Sequence, residues 1–175
     1  MGIADDLGYE YPDRNWFHRV VVALTSTTVG AWLGYHLIPP VDRVVINVTK
    51  GKGTITRWFA GVPPIWVSTV GAKTGKKRNS PLFGIPIDGN LALIGTGFGQ
   101  APTPAWVYNL EAIPDAIVEY EGVSIAVRGR AATKDENSEV WETAAAIYPG
   151  FVKYRERVTH RPIRVFLLEP LPSMK

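Results

Sequence analysis

The chain contains no cysteine, which excludes disulfide frameworks, thiolate metal sites and thiol catalysis and suits a reducing compartment. Histidine is almost as scarce. His18, His36 and His160 stand far apart without ligand spacing, so surface or capping roles are expected and no metal is. No G-x-S-x-G elbow occurs and no histidine pairs recognisably with a serine. RRM, KH and zinc signatures are lacking, so no nucleic-acid partner is expected. Internal repeats and low-complexity segments are absent as well. The opening residues carry Asp5, Asp6, Glu10 and Asp13 in place of the positive charge of a secretory signal, and Met1 to Asp13 reads as a loosely held arm.

What is present is a chain of 175 residues with a formal charge of +3. That length gives one domain able to bury a core without staples. The mild basicity favours anionic partners without choosing among them. Val20 to Ile38 carries no formal charge if His36 is neutral, and approaches the length of a bilayer span. Thr25, Ser26, Thr27, Thr28, Gly30 and Gly34 dilute it, and basic residues flank both ends. A helix packed on the domain or lying in a membrane surface is therefore expected over a true span. Pro39-Pro40 ends that run, and Asp42 caps a second short helix reaching about Thr49.

Beyond Pro63-Pro64 the pattern changes to strands and turns. Ile65 to Val70 and Leu82 to Ile87 flank a tip, and Asp88-Gly89-Asn90 turns the chain into Leu91 to Thr96. Prolines bracket a short helix at Ala105 to Ala112. Ile117 to Tyr120 pairs through Glu121-Gly122 with Val123 to Ala132, where Gly129 suggests a bulge or bend. Thr133 and Glu136 have capping-box spacing before a helix that Pro149-Gly150 stops. One further turn of helix carries Phe151, Tyr154 and Val158, and Ile163 to Leu168 closes the set. The class is α+β, mainly β: six mostly antiparallel strands forming a small barrel with helices. An N-terminal arm with helices over residues 1–62 and a barrel over 63–175 are expected to make a single folding unit.

The tip between Gly71 and Asn79 is the most informative stretch. It sets Lys73, Lys76, Lys77 and Arg78 beside Thr74, with Gly71 and Gly75 free to take positive φ so that backbone N–H groups converge on an anion such as a phosphate. The alternative is a hairpin whose charges only keep its end in water. The glycine spacing and the Lys76-Lys77 pair rule out a P-loop. Gly95 to Gly99 is either a flexible strand end or a place where a flat ring or phosphate approaches bare backbone. Trp106 and Asn109 share a face of the short helix, and Tyr148, Phe151 and Tyr154 form an aromatic patch; plain packing explains either group equally.

Three motifs in order carry a resemblance: Gly71-Ala72-Lys73-Thr74-Gly75 with Arg78, Pro81 and Leu82; Pro104 to Pro114 (PAWVYNLEAIP); and Tyr148-Pro149. The chain resembles the coenzyme F420-dependent nitroreductase and quinone reductase family over about Trp66 to Pro170. The resemblance implies a split β-barrel of the FMN-binding-like kind and a reductase that passes hydride from reduced F420 to a quinone, enone or nitro compound. FMN in the same barrel, or a non-catalytic F420-binding carrier at a membrane, are the competing readings. By position in the motifs, Lys73, Thr74, Gly75, Lys76, Lys77 and Arg78 fall where the family grips the coenzyme's phosphate and acidic tail. Ser80, Pro81, Leu82, Phe83, Thr96 and Gly97 fall beside the deazaflavin, with Trp106 and Asn109 in support. Tyr148 and Tyr154 match substrate-orienting tyrosines, and Thr96 and Phe151 line the substrate pocket. Ala72, Gly97, Val107 and Phe151 depart from residues common in the family, shifting the grip toward Lys73, Lys76 and Lys77 and the substrate class toward quinones and activated alkenes. A cytoplasmic location with peripheral contact at the inner face of the membrane is expected; the residues do not fix the oligomeric state.

Overall fold

The computed structural model of the protein describes residues 2–9 and 63–171. The expected helices at Val20 to Ile38 and Asp42 to Thr49 lie outside the described residues. Seven strands form one curled antiparallel sheet: β1 (Pro64–Val70), β2 (Lys77–Phe83), β3 (Ile85–Ile87), β4 (Asn90–Ile94), β5 (Asp115–Tyr120), β6 (Val123–Ala131) and β7 (Val165–Pro170). Their order across the sheet is β2-β1-β5-β6-β7-β4-β3. The outermost strands are thus neighbours in sequence, separated only by Gly84. The chain crosses from one edge of the sheet to the other at that residue, which requires the sheet to curl into a half-barrel. A Cβ on Gly84 would stand 3.2 Å from both the Ile65 and Leu91 side chains. The single strand expected over Leu82 to Ile87 is therefore two, paired with different partners, and the strand total is seven, not six.

Alternation along the strands sorts apolar residues to two sides of the sheet. Ile65, Val67, Leu91, Leu93, Val118, Val127, Phe166 and Leu168 fill the inner side together with Val107 and Leu110 of α2 (Ala105–Ala112). Ile85, Ile87, Ala92, Ile94, Val165 and Leu167 face the opposite side, under α3 (Lys134–Ile147) and α4 (Gly150–Arg157). The turns are those the sequence asks for. Asp88-Gly89 and Glu121-Gly122 all take positive φ, joining Ile87 to Asn90 and Tyr120 to Val123 as left-handed two-residue hairpins. Thr133 and Glu136 form the capping box that starts α3. Gly129 has a different role from the bulge expected of it. It pairs with Leu168 within an uninterrupted ladder, with Leu110 of α2 packed over it.

Residues 2–9 do not form a loose arm. Ile3–Leu7 is a short helix, α1, with Ile3, Leu7 and Tyr9 buried in the inner core. Its apolar side is narrow but fully used. The Tyr9 hydroxyl donates to Pro63 O at 2.7 Å and reaches Gly84 O at 3.3 Å, tying the segment to the point where the barrel closes.

Candidate active site

The hairpin between β1 and β2 is shorter than its sequence suggests, because Lys77 and Arg78 already belong to β2, opposite Val70 and Thr69. Successive strand residues face opposite sides, so Lys77 and Arg78 project to different faces of the sheet. Gly75 takes φ 65°, and Gly71 holds the base of the turn by donating to Lys76 O at 2.9 Å. The N–H groups of Thr74 and Gly75 donate to Gly71 O, and that of Lys76 to Thr74 Oγ1 at 3.4 Å. That of Ala72 donates to Asn109 Oδ1 at 3.0 Å. Five backbone donors of the turn, those of Gly71, Ala72, Thr74, Gly75 and Lys76, are thus engaged within the protein. What remains for an anion is side-chain charge: Lys73, Lys76, Lys77 and Arg78 are exposed, and among the described residues none forms an ion pair.

Asn109 and Trp106 act from beneath. Asn109 is only 7% exposed, and its Nδ2 donates to Thr69 Oγ1 at 2.9 Å while its Oδ1 receives Ala72. Both ends of the amide are satisfied, so the helix α2, the end of β1 and the turn are one hydrogen-bonded unit. Trp106 lies in the barrel core, edge-on to Phe166 with ring centroids 5.9 Å apart.

At the other end of β2 stands an aromatic cluster. Tyr148, at the C-terminal end of α3, and Phe151 and Tyr154 of α4 are all nearly fully buried, with mutual centroid distances of 5.8 to 6.2 Å. The break at Pro149 lets two helices contribute to one cluster. The Tyr148 and Tyr154 hydroxyls lie 3.1 Å apart. Burial raises the Tyr154 pKa above its ordinary value, the neighbouring Tyr148 adds to that rise, and Arg157, whose Cζ is 5.9 Å from the ring centroid, opposes it. Tyr154 therefore keeps its proton across the neutral range and can donate it in a hydrogen bond. Phe83, the last residue of β2, brings its ring to 6.5 Å from Tyr148. Ser80, Pro81 and Leu82 lie half-buried between the two ends, opposite Val67, Trp66 and Ile65.

The third part is the loop after β4. Gly97, Phe98 and Gly99 take φ of 55°, 57° and 77°, a left-handed turn that for Phe98 costs on the order of 1 kcal/mol. The space a side chain would take at its two positive-φ glycines is filled by protein. A Cβ on Gly97 would meet Pro104 Cγ at 3.2 Å, and one on Gly99 would meet Arg157 Cδ at 3.2 Å and Tyr154 Cδ1 at 3.4 Å. Thr96 is buried at the base of the turn, its carbonyl accepting from Gly99 N at 3.0 Å. The Phe98 ring meets Tyr154 edge-on at 6.0 Å. The residues singled out in the sequence therefore gather in two groups, the basic turn and the tyrosine cluster, linked by β2. Phe98, Arg157 and Arg161 were not singled out. A faint signal lies in the spacing of Arg155 and Arg157 in the last turn of the aromatic helix and Arg161 just after it, but charge at a helix end ordinarily means solvation.

Comparison with known proteins gives a consistent picture. A sequence model of the F420H(2)-dependent quinone reductase family matches residues 42–170. The F420H(2)-dependent quinone reductase Rv1261c of Mycobacterium tuberculosis strain H37Rv is 27% identical over 146 residues, covering 80% of this chain and 97% of the relative. Among solved structures, the F420-H2 dependent reductase FDR-A is 30% identical with a TM-score of 0.56, over 61% of this chain and 94% of its own. Another, a domain-swapped dimer, is 27% identical with a TM-score of 0.58, over 75% of this chain and 95% of its own.

Proposed function

This chain belongs to the F420H(2)-dependent quinone reductase family, and from that premise we propose that it passes hydride from reduced F420 to a quinone-type acceptor, gripping the coenzyme's acidic tail at the basic turn and orienting the acceptor at the tyrosine cluster. When bound, the coenzyme supplies the hydride, and the protein supplies binding, orientation and electrostatics. The donor set fits such a tail: Lys73 and Lys76 on a turn locked from behind by Asn109, with Lys77 and Arg78 at the start of β2, offer charge to an oligoglutamate and a phosphodiester.

The observation that carries this reading is the run of β2. It begins at Lys77 in the basic turn and ends at Phe83 beside Tyr148. At about 3.3 Å per residue, the strand separates the two groups by about 20 Å. An elongated coenzyme with charge at one end and a flat ring at the other suits that span. Along it, Ser80, Pro81, Leu82 and Phe83 are half-buried, with Leu82 toward the inner core and Phe83 toward the tyrosine cluster, and the ring is placed beside them, next to Thr96 and Gly97 of the neighbouring loop. The Tyr148 and Tyr154 hydroxyls, 3.1 Å apart, are where an acceptor oxygen would receive a hydrogen bond as negative charge develops on it. Phe151 packs edge-on against both rings and lines the same pocket.

A quinone is the primary acceptor; activated enones and nitro compounds share its electron-poor character and are secondary. Contact with a membrane surface through Val20–Ile38, giving access to a lipid-soluble quinone from the cytoplasmic side, belongs to the same proposal. Recovery of all the protein in the soluble fraction after gentle lysis counts against that contact. Fluorescence titration with F420, followed by loss of reduced coenzyme on adding menadione, tests the core of the reading. A yellow protein that releases FMN on heating overturns the choice of coenzyme. F420 binding without turnover of any quinone or enone makes the chain a carrier.

A further inference from the structure

Gly95 to Ala101 is wrapped around a single guanidinium. Arg161 donates from Nη1 to Gly95 O at 3.0 Å, from Nη2 to Thr96 O at 3.0 Å and Gln100 O at 3.3 Å, and from Nε to Ala101 O at 3.1 Å. His160 adds Nε2–H to the same Ala101 O at 2.9 Å. Four carbonyls from one short loop thus converge on one planar, permanently charged fork, a geometry a lysine cannot reproduce. Between the second and third of those carbonyls lies the left-handed turn, with Phe98 as its only residue bearing a side chain.

A non-glycine residue in that conformation persists only when its surroundings over-determine it, and such residues gather where geometry serves function. Here the surroundings are the guanidinium behind the loop, Pro104 against Gly97, and Arg157 and Tyr154 against Gly99. The consequence is the place of the Phe98 ring: edge-on to Tyr154, whose hydroxyl is paired with Tyr148. Released from the fork, the loop would relax toward ordinary φ values and carry the ring away from Tyr154.

We propose that Arg161 is a positioning residue that holds Phe98 as a wall of the acceptor site beside Tyr154, so that acceptor fit depends on this wall while coenzyme affinity is set mainly at the basic turn. The proposal rests on the reading of the tyrosine cluster as the acceptor site. It assigns to this loop a role in recognising the acceptor through a flat aromatic wall, which suits a planar quinone ring by offset or edge contact.

Two variants test it. In Arg161→Gln, the KM for menadione is expected to rise about tenfold, the scale of a lost aromatic contact. Its F420 affinity by fluorescence titration should stay within about twofold of the unchanged protein, because the basic turn is untouched. Phe98→Gly keeps the left-handed turn without steric cost and removes only the wall, so the same rise in menadione KM is expected with F420 affinity retained. If Arg161→Gln is not recovered folded, Phe98→Gly decides alone. An unchanged menadione KM in Phe98→Gly, or coenzyme affinity falling in step with menadione KM in either variant, overturns the proposal. Failure of the unmodified protein to bind F420 or to reduce menadione is a different result, and overturns the functional reading on which the proposal rests.

Discussion

The buried side-chain amide of Asn109 holds the backbone of Ala72, the second residue of the basic turn, across 3.0 Å. Its other end donates to Thr69 at 2.9 Å, so one residue of α2 fixes both the exit of β1 and the turn that follows. Asn109→Ala leaves the Ala72 N–H and the Thr69 hydroxyl without that partner, a loss of about 1–3 kcal/mol in stability. The F420 dissociation constant should rise while kcat at saturating coenzyme stays close to its original value. A fall in kcat with unchanged coenzyme affinity would place Asn109 in the chemistry instead of beneath the turn.

Lys73→Ala is expected to weaken F420 binding, since most backbone donors of the turn are engaged and side-chain charge carries the grip. Raising ionic strength toward about 1 M, where the screening length is about 3 Å, should weaken binding in the same direction. Titrations at low and high salt check both. Salt-independent affinity, or a Lys73→Ala protein that binds as before, contradicts the assignment.

Tyr148→Phe and Tyr154→Phe each remove a hydroxyl from the pair and should lower kcat with menadione much more than they alter F420 affinity. The Tyr154 pKa lies above its ordinary value near 10 because burial disfavours the tyrosinate. A raised pKa means that its contribution to stability is complete below about 10, the unfolded-state value, and is lost as pH rises toward the folded-state one. Denaturant melts on either side of pH 10 should show alkaline destabilisation that Tyr154→Phe diminishes. Equal alkaline sensitivity in both proteins argues that other groups are responsible.

Glu136 caps α3 through Thr133 N at 2.7 Å and pairs with Arg130, also at 2.7 Å. Its pKa falls from 4.5 to about 2, first through the hydrogen bond from Arg130 and next through the backbone of Thr133. The depressed value gives stability that is present above 4.5 and lost as pH falls toward about 2. Glu136→Gln should therefore be less stable than the original at neutral pH, with the difference shrinking on acidification. A difference that does not change with pH would point to lost packing instead of lost charge.

Much of the architecture could be read from local pattern. Strand alternation, the Asp88-Gly89 and Glu121-Gly122 hairpins, the Ala105–Ala112 helix and the Thr133–Glu136 cap depend on neighbouring residues, and the structure has them where the sequence put them. The basic turn was visible as a charge cluster and the aromatic patch as a spacing. The engagement of the turn's N–H groups was not, because Asn109 reaches Ala72 from 37 positions away.

By itself, then, the sequence determined the element types, the cationic hairpin and the family, since propensity, turn chemistry and motif are carried by adjacent residues. The tertiary structure decided what could be settled only by bringing distant segments together. Curling of the sheet split the second strand at Gly84 and sent its halves to opposite edges. The open end of the inner core drew in Ile3, Leu7 and Tyr9, because their burial outweighs the freedom of an acidic arm. Four carbonyls closed on Arg161 because a partly buried loop must satisfy its polar groups with whatever donor the fold delivers.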